Sequence, residues 1–154
     1  MPLHVNKGKA SSLNDCLHAG PPLKNKWWSV VVQNRFHPVV VAANVRHAFL
    51  QVQIQETKRD ALRFHWITDK TAKQVETLHY TRVVFGLAQS PFLLNGVIQQ
   101  HLENLLSTYP NAVKEILKSL YVEDLLSGRP TIQNAKQLKR EATKIFGDAK
   151  FELH

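Results

Sequence analysis

Hydrophobic positions change period several times along the chain, and each change marks an element. Leu23, Trp27, Val30, Val31 and Asn34 fall at helical spacing after Pro21-Pro22, which predicts a helix over 23–36. His37 precedes Pro38 and is thereby pushed out of helical backbone, so the helix stops there. Val39-Val40-Val41-Ala42-Ala43 is an unbroken apolar run rich in β-branched residues, the pattern of a strand covered on both faces. From Leu62 the period falls toward two: Leu62, Phe64 and Trp66, a polar turn over 68–73, then Val75, Leu78, Tyr80 and Val83. That pattern predicts a β-hairpin.

Pro91 suits the first turn of a helix whose positions Phe92, Leu93, Gly96, Val97, Leu102, Leu105 and Leu106 recur near 3.6 residues and stop before Pro110. Residues 116–122 and 125–127 then flank Glu123-Asp124 as two short apolar arms flank a tight turn. Thr131 can cap a last helix with Ile132, Ala135, Leu138, Ala142, Ile145 and Phe146 on its buried face, ending at Gly147. Phe151-Glu152-Leu153 opens a further strand. The order helix, strand, hairpin, helix, hairpin, helix implies an α+β fold, with helices packed on one face of a mostly antiparallel sheet. The chain shows neither internal repeats nor low-complexity tracts.

A length of 154 residues makes one domain able to bury a real core, and 44% hydrophobic residues with three Trp and seven Phe exclude disorder. Twenty Lys and Arg against twelve Asp and Glu give a net charge of +8, a balance that suits polyanionic partners. The cations are spread (Lys7, Lys9, Lys24, Lys26, Lys58, Arg59, Arg63, Lys70, Lys73, Lys136, Lys139, Arg140), as on ordinary solvated faces. Cys16 is the single cysteine, which excludes an internal disulfide and fits a small apolar residue in a reducing compartment. With no signal-peptide run in residues 1–10 and no apolar stretch of membrane length, the expectation is a soluble, intracellular protein of the cytoplasm.

Other chemistry finds little support. The histidines His37, His47, His65, His79 and His101 lack the spacing of a zinc site. Gly8-Lys9-Ala10-Ser11 is not a phosphate-binding loop, and Ser90 sits in no Gly-x-Ser-x-Gly elbow. Trp27-Trp28 can stack on bases, but a position before the first strand places at least one of them in the core.

The informative feature is Leu120-Tyr121-Val122-Glu123-Asp124-Leu125-Leu126, an acidic pair at a hairpin tip between apolar arms. Alone, it reads as an exposed acidic turn. Carboxylates held on rigid strands are also what two-metal phosphoryl transfer needs, to hold two Mg²⁺ ions about 3.5 to 4 Å apart.

Further motifs accompany it in order: Ser12-Leu13-Asn14-Asp15-Cys16-Leu17, Arg35-Phe36-His37-Pro38, Ala48-Phe49-Leu50-Gln51-Val52, Leu62-Arg63-Phe64-His65-Trp66, Phe85-Gly86-Leu87-Ala88-Gln89-Ser90-Pro91-Phe92 and Tyr121-Val122-Glu123-Asp124. Together they resemble the reverse transcriptase of BEL/Pao-type long-terminal-repeat retrotransposons, over nearly the whole chain from Ser12 onward. The resemblance implies a divergent segment over 1–11 and, over 12–154, a polymerase palm with part of the fingers, truncated at both ends. It implies RNA/DNA primer-template and dNTPs as partners, two Mg²⁺ ions as cofactors and a virus-like particle in the cytoplasm as the setting. The RNase H and integrase regions of the family's polyprotein have no counterpart in this sequence.

Carried over residue by residue, the family's catalytic aspartate at the end of the first strand corresponds to Asn44. Its Tyr-x-Asp-Asp hairpin corresponds to Tyr121-Val122-Glu123-Asp124, so Glu123 replaces an aspartate and Asp124 keeps one. Asn44, Glu123 and Asp124 are therefore the candidate catalytic and metal-binding residues. Val45, Arg46, Phe49, Phe85, Gly86 and Tyr121 are the candidate nucleotide-binding residues, Phe49 standing where the family's gate against the ribose 2′-hydroxyl lies while also fitting a core position.

Asn44 offers one neutral carbonyl oxygen where a bridging carboxylate offers two charged ones. Glu123 keeps the charge on a side chain one methylene longer, and Mg²⁺ tolerates little departure from octahedral geometry. Weak or absent metal binding follows, and with it impaired catalysis. Three readings stay open: a polymerase by descent that is catalytically impaired, a nucleic-acid-binding module without catalysis, and a vestigial product.

Overall fold

The computed structural model of the chain describes residues 11–69, 71 and 74–154. The divergent N-terminal segment therefore lies, except for Ser11, outside the described residues, as do three positions of the turn over 68–73. In chain order the elements are α1 (Leu13–Cys16), α2 (Trp27–Asn34), β1 (Val39–Arg46), α3 (Ala48–Gln51), a 3-10 helix (Glu56–Leu62), β2 (Arg63–Asp69), β3 (Gln74–His79), α4 (Ser90–Asn104), α5 (Pro110–Ser119), β4 (Leu120–Tyr121), β5 (Asp124–Arg129), α6 (Ile132–Asp148) and β6 (Glu152–Leu153). The fold is α+β, as the periodicity predicts. Four strands pair antiparallel in the order β4-β5-β1-β6, and β2 and β3 form a separate two-stranded sheet.

The apolar run at 39–43 does not make a strand covered on both faces. β1 alternates instead: Val39, Val41, Ala43 and Val45 are half or fully buried, whereas Val40 is 50% exposed and Ala42, Asn44 and Arg46 face solvent. Valine and alanine at the outward positions mask a period of two that the backbone pleat still imposes. Inward, Val45 and Leu125 join Leu94 and Ile98 of α4, Val113 and Ile116 of α5, and Leu138, Ile145 and Phe146 of α6 in one core. Fully burying one such side chain is worth about 1.5 to 3 kcal/mol, so this single layer of helix on sheet carries most of the fold.

Two helical positions depart from the sequence reading. Residues 116–119 belong to α5 and not to a hairpin arm, leaving only Leu120–Tyr121 as strand. Pro110 opens α5 at a position where a missing N–H costs nothing, and Ala112, Val113, Ile116 and Ser119 form its buried stripe. Ile132 is 64% exposed and not on the buried face of α6. It lies in the first turn, beyond the reach of the core, and the helix runs one residue past Gly147 to Asp148. Thr131 does cap it, its hydroxyl accepting from Asn134 N at 3.2 Å.

Helix α2 lies along the edge of β5 beyond the short β4, where Asn34 Nδ2 donates to Leu126 O at 3.0 Å. Gly128 leaves room there for the His37 ring, which a Cβ would strike. Neither tryptophan of α2 enters the core: Trp27 is 47% and Trp28 70% exposed, because α2 buries Val30 and Asn34 instead. The β2–β3 hairpin pairs Phe64 with Leu78 and Trp66 with Glu76 and is anchored at its base by buried Leu62, whose carbonyl accepts from Tyr80 N at 3.1 Å. No helix among the described residues is long and apolar enough to cross a membrane.

Candidate functional site

Antiparallel register sets Asn44 of β1 directly opposite Asp124 of β5. Paired residues share a face of the sheet, and Asn44 Nδ2 donates to Asp124 Oδ1 at 2.9 Å across 80 residues of sequence. One position further, Val45 N donates to Glu123 O at 2.8 Å. Of the three residues expected to converge, Asn44 and Asp124 meet side chain to side chain on the outward face of the sheet, and Glu123 reaches β1 through its backbone carbonyl.

The turn that carries them is tight. Val122 takes φ +55°, a left-handed backbone that a β-branched residue adopts only where its surroundings hold it. Those surroundings are visible: the Tyr121 ring lies 5.2 Å from the Trp27 ring and beneath Lys24 Nζ at 5.6 Å, while Asn25 Nδ2 donates to Leu117 O and Leu120 O at 2.8 Å each, fixing the joint between α5 and β4. Burial, and then the neighbouring charge of Asp124, push the Glu123 carboxyl above its ordinary pKa.

Of the residues expected to touch nucleotide, Arg46 shares the outward face with Asn44 and pairs with Glu152 at 3.4 Å. Val45 is fully buried, so its side chain serves the core and only its backbone borders the hairpin. After β1 the chain turns through His47 at φ +50° and buries Phe49 to 3% exposure. The Phe49 ring packs against Phe85 at 4.4 Å between centroids, which ties the end of β1 to the loop before α4. Phe85 itself is 66% exposed. Gly86 has φ +89° with open space around it, a backbone glycine adopts without steric cost.

Three residues of this region escaped the sequence reading. Asn14 clamps the Phe85 loop from both sides, donating through Nδ2 to Gly86 O at 2.7 Å and accepting at Oδ1 from Ala88 N at 2.9 Å. Asn25 does the similar work at the hairpin joint just described. His154 exchanges two backbone hydrogen bonds of 2.8 Å with Asn44, so Asp124 of β5, Asn44 of β1 and His154, just past the end of β6, form a row, and His154 Nε2 also lies 3.2 Å from Glu152 Oε1. The strand signal at 151–153 needed one more residue to find it. A lone asparagine inside the single turn of α1, by contrast, carries no sequence signal for a contact with a loop more than 70 positions away.

Two Mg²⁺ ions require a bridging carboxylate between them. Asn44 offers an amide whose N–H₂ already points at Asp124, and Glu123 is the only other acid at the turn. Among the described residues no three His, Cys, Asp or Glu side chains gather as metal ligands. The residues present do not fit a two-ion centre.

Compared with known proteins, the chain matches no family model, and no curated protein is similar to it.

Proposed function

We propose that the chain is a cytoplasmic domain of the BEL/Pao-type reverse transcriptase lineage, a palm with part of the fingers, whose two-metal nucleotidyl-transfer site has lost its catalytic donor set. One observation carries the reading. The two positions that motif order alone assigns to a shared metal site, Asn44 and Asp124, stand in direct register and in hydrogen-bond contact. An α+β fold in general imposes no such pairing between residues 80 apart. The contact between Phe49 and Phe85 adds support, since it joins the next two motifs in space.

In this reading the open face of the sheet meets an RNA/DNA primer-template and the Phe85-Gly86 loop borders the dNTP, without turnover. Asn44 replaces an electrostatic bridge by a hydrogen bond: its amide satisfies one oxygen of Asp124, a cross-strand tie that holds with no cation present. The hairpin thus keeps its geometry and its two acids, while β1 opposite no longer supplies the negative charge that divalent ions need.

The test is a primer-extension assay on the unmodified chain and on Asn44→Asp with Glu123→Asp, beside a Mg²⁺ titration of both. The unmodified chain is expected to extend no primer. The double variant should bind Mg²⁺ more tightly, because one negative charge returns and the ligand shortens to family geometry. Synthesis should recover less, since placing the primer end in line is a separate requirement worth roughly 7 to 11 kcal/mol. Robust extension by the unmodified chain overturns the inactive assignment, and unchanged metal affinity in the double variant overturns the palm assignment.

A further inference from the structure

Helix α6 turns one side to the core and the other to solvent. The buried side consists of Ala135, Leu138, Ala142, Ile145 and Phe146. On the opposite side Lys136, Arg140 and Lys144 follow one another at i, i+4 and i+8, with Lys139 on the flank, and all four are exposed. Steps of four residues put successive cations about 6 Å apart along the helix, in a row nearly parallel to its axis.

Besides Glu141, only Asp148, exposed at the C-terminal end of α6 and four residues after Lys144, is an acid at neighbour spacing to this row, and it reaches Lys144 alone. Among the described residues none of the four cations has a carboxylate within ion-pair distance. The nearest acid in sequence, Glu141, is half-buried and accepts from Gln137 Nε2 at 3.0 Å. Both residues line a cavity of about 250 Å³ with Asn111 and Arg129. Like charges at i, i+4 destabilise a helix, so the free protein bears a cost that a polyanion would relieve.

We infer that the outer face of α6 is a second nucleic-acid site, which binds the phosphate backbone of a duplex without reading its sequence. The row is convex and contains no aromatic side chain, since Phe146, the only aromatic of α6, is buried. Unpaired bases therefore find nothing there to stack on, and backbone phosphates are the complementary partner. Because α6 packs against the inward residues Val45 and Leu125, whereas Asn44 and Asp124 point outward, this site lies across the sheet from the candidate catalytic hairpin. It does not depend on the reverse-transcriptase reading.

The test measures binding of a short labelled DNA duplex across a salt series. Two triple variants are compared with the parent: Lys136→Gln, Arg140→Gln and Lys144→Gln on the row, and Lys26→Gln, Lys58→Gln and Lys114→Gln at exposed sites elsewhere. Glutamine has nearly the helix propensity of lysine and arginine, and circular dichroism should show both variants folded. Each lost phosphate contact lowers the slope of log affinity against log salt by about 0.9, so the row variant should lose about 2 to 3 from its slope and the other less than half of that. Equal losses in the two variants would mean that bulk charge alone governs binding. An unchanged slope in the row variant would equally overturn the site.

Discussion

Two glutamates at opposite ends of the same hairpin region have opposite fates. Glu115 of α5 sits beneath the far end of β5, half-buried, where Ser119 Oγ donates to its Oε1 at 3.0 Å, Ser127 Oγ donates to the same oxygen at 2.8 Å, and Arg129 Nη1 lies 3.4 Å from Oε2. Burial pushes its pKa up, but the hydroxyls of Ser127 and Ser119, then Arg129 and Lys118, together outweigh burial and hold it below the ordinary value. At the tip, burial and Asp124 both raise the pKa of Glu123, and among the described residues no donor meets its carboxylate. The fold supplies every partner that Glu115 needs and none for Glu123. Charge fully met in this way acts as a structural strut, whereas the charge of Glu123 is left to solvent at the surface of the turn.

Removing the strut should have the largest effect. Glu115→Ala strips two serine hydroxyls and Arg129, whose Nε already lacks a partner, and is expected to cost about 2 to 3 kcal/mol in urea unfolding. A lowered pKa in the folded state means that the native protein holds the ionised form more tightly than the unfolded chain does. The stability from Glu115 is therefore present above the ordinary glutamate range and lost as pH falls through the folded pKa. Glu115→Gln should accordingly be less stable than the parent at pH 7, with a gap that closes in acid. A loss under about 0.5 kcal/mol for Glu115→Ala, the scale of ordinary surface substitutions, would erase the contrast with the tip.

Sequence carries the two ends unequally. The tip was legible only in part: Glu123-Asp124 between apolar arms marks a turn that alone reads as an exposed acidic one, and it was the ordered set of motifs that paired it with Asn44 before any register was known. The strut was not, since nothing in Pro110–Ser119 announces that Glu115 will meet Ser127, and the helical stripe Ala112, Val113, Ile116, Ser119 was hidden by reading residues 116–122 as one arm. Continuous apolar character misled in the same way at β1, where Val40 and Ala42 look like core residues and face solvent. Trp27 and Trp28 show the converse error. Large aromatic area suggests burial, but α2 packs on a strand edge and has only one narrow side to bury. Periodicity reports which residues can share a face; which face meets helices is decided by connections that act over long range.

The smallest effect tests the tip itself. Glu123→Gln removes a charge that no donor or cation among the described residues compensates, while keeping the length of the side chain and the backbone bond from Val45 N. A raised folded pKa means that ionisation costs the native state more than the unfolded chain. That cost is absent well below the ordinary glutamate range, where both states are protonated, and grows as pH rises through that range to the folded pKa. The variant should therefore be more stable than the parent at pH 7, by less than about 1 kcal/mol because the group is partly exposed and screened, and equal to it near pH 3. The direction is opposite to that of Glu115→Gln, so paired urea titrations at the two pH values sharpen the comparison directly. If Glu123→Gln instead weakens the fold at pH 7, Glu123 has a partner of its own, and the tip is a second strut rather than an open site.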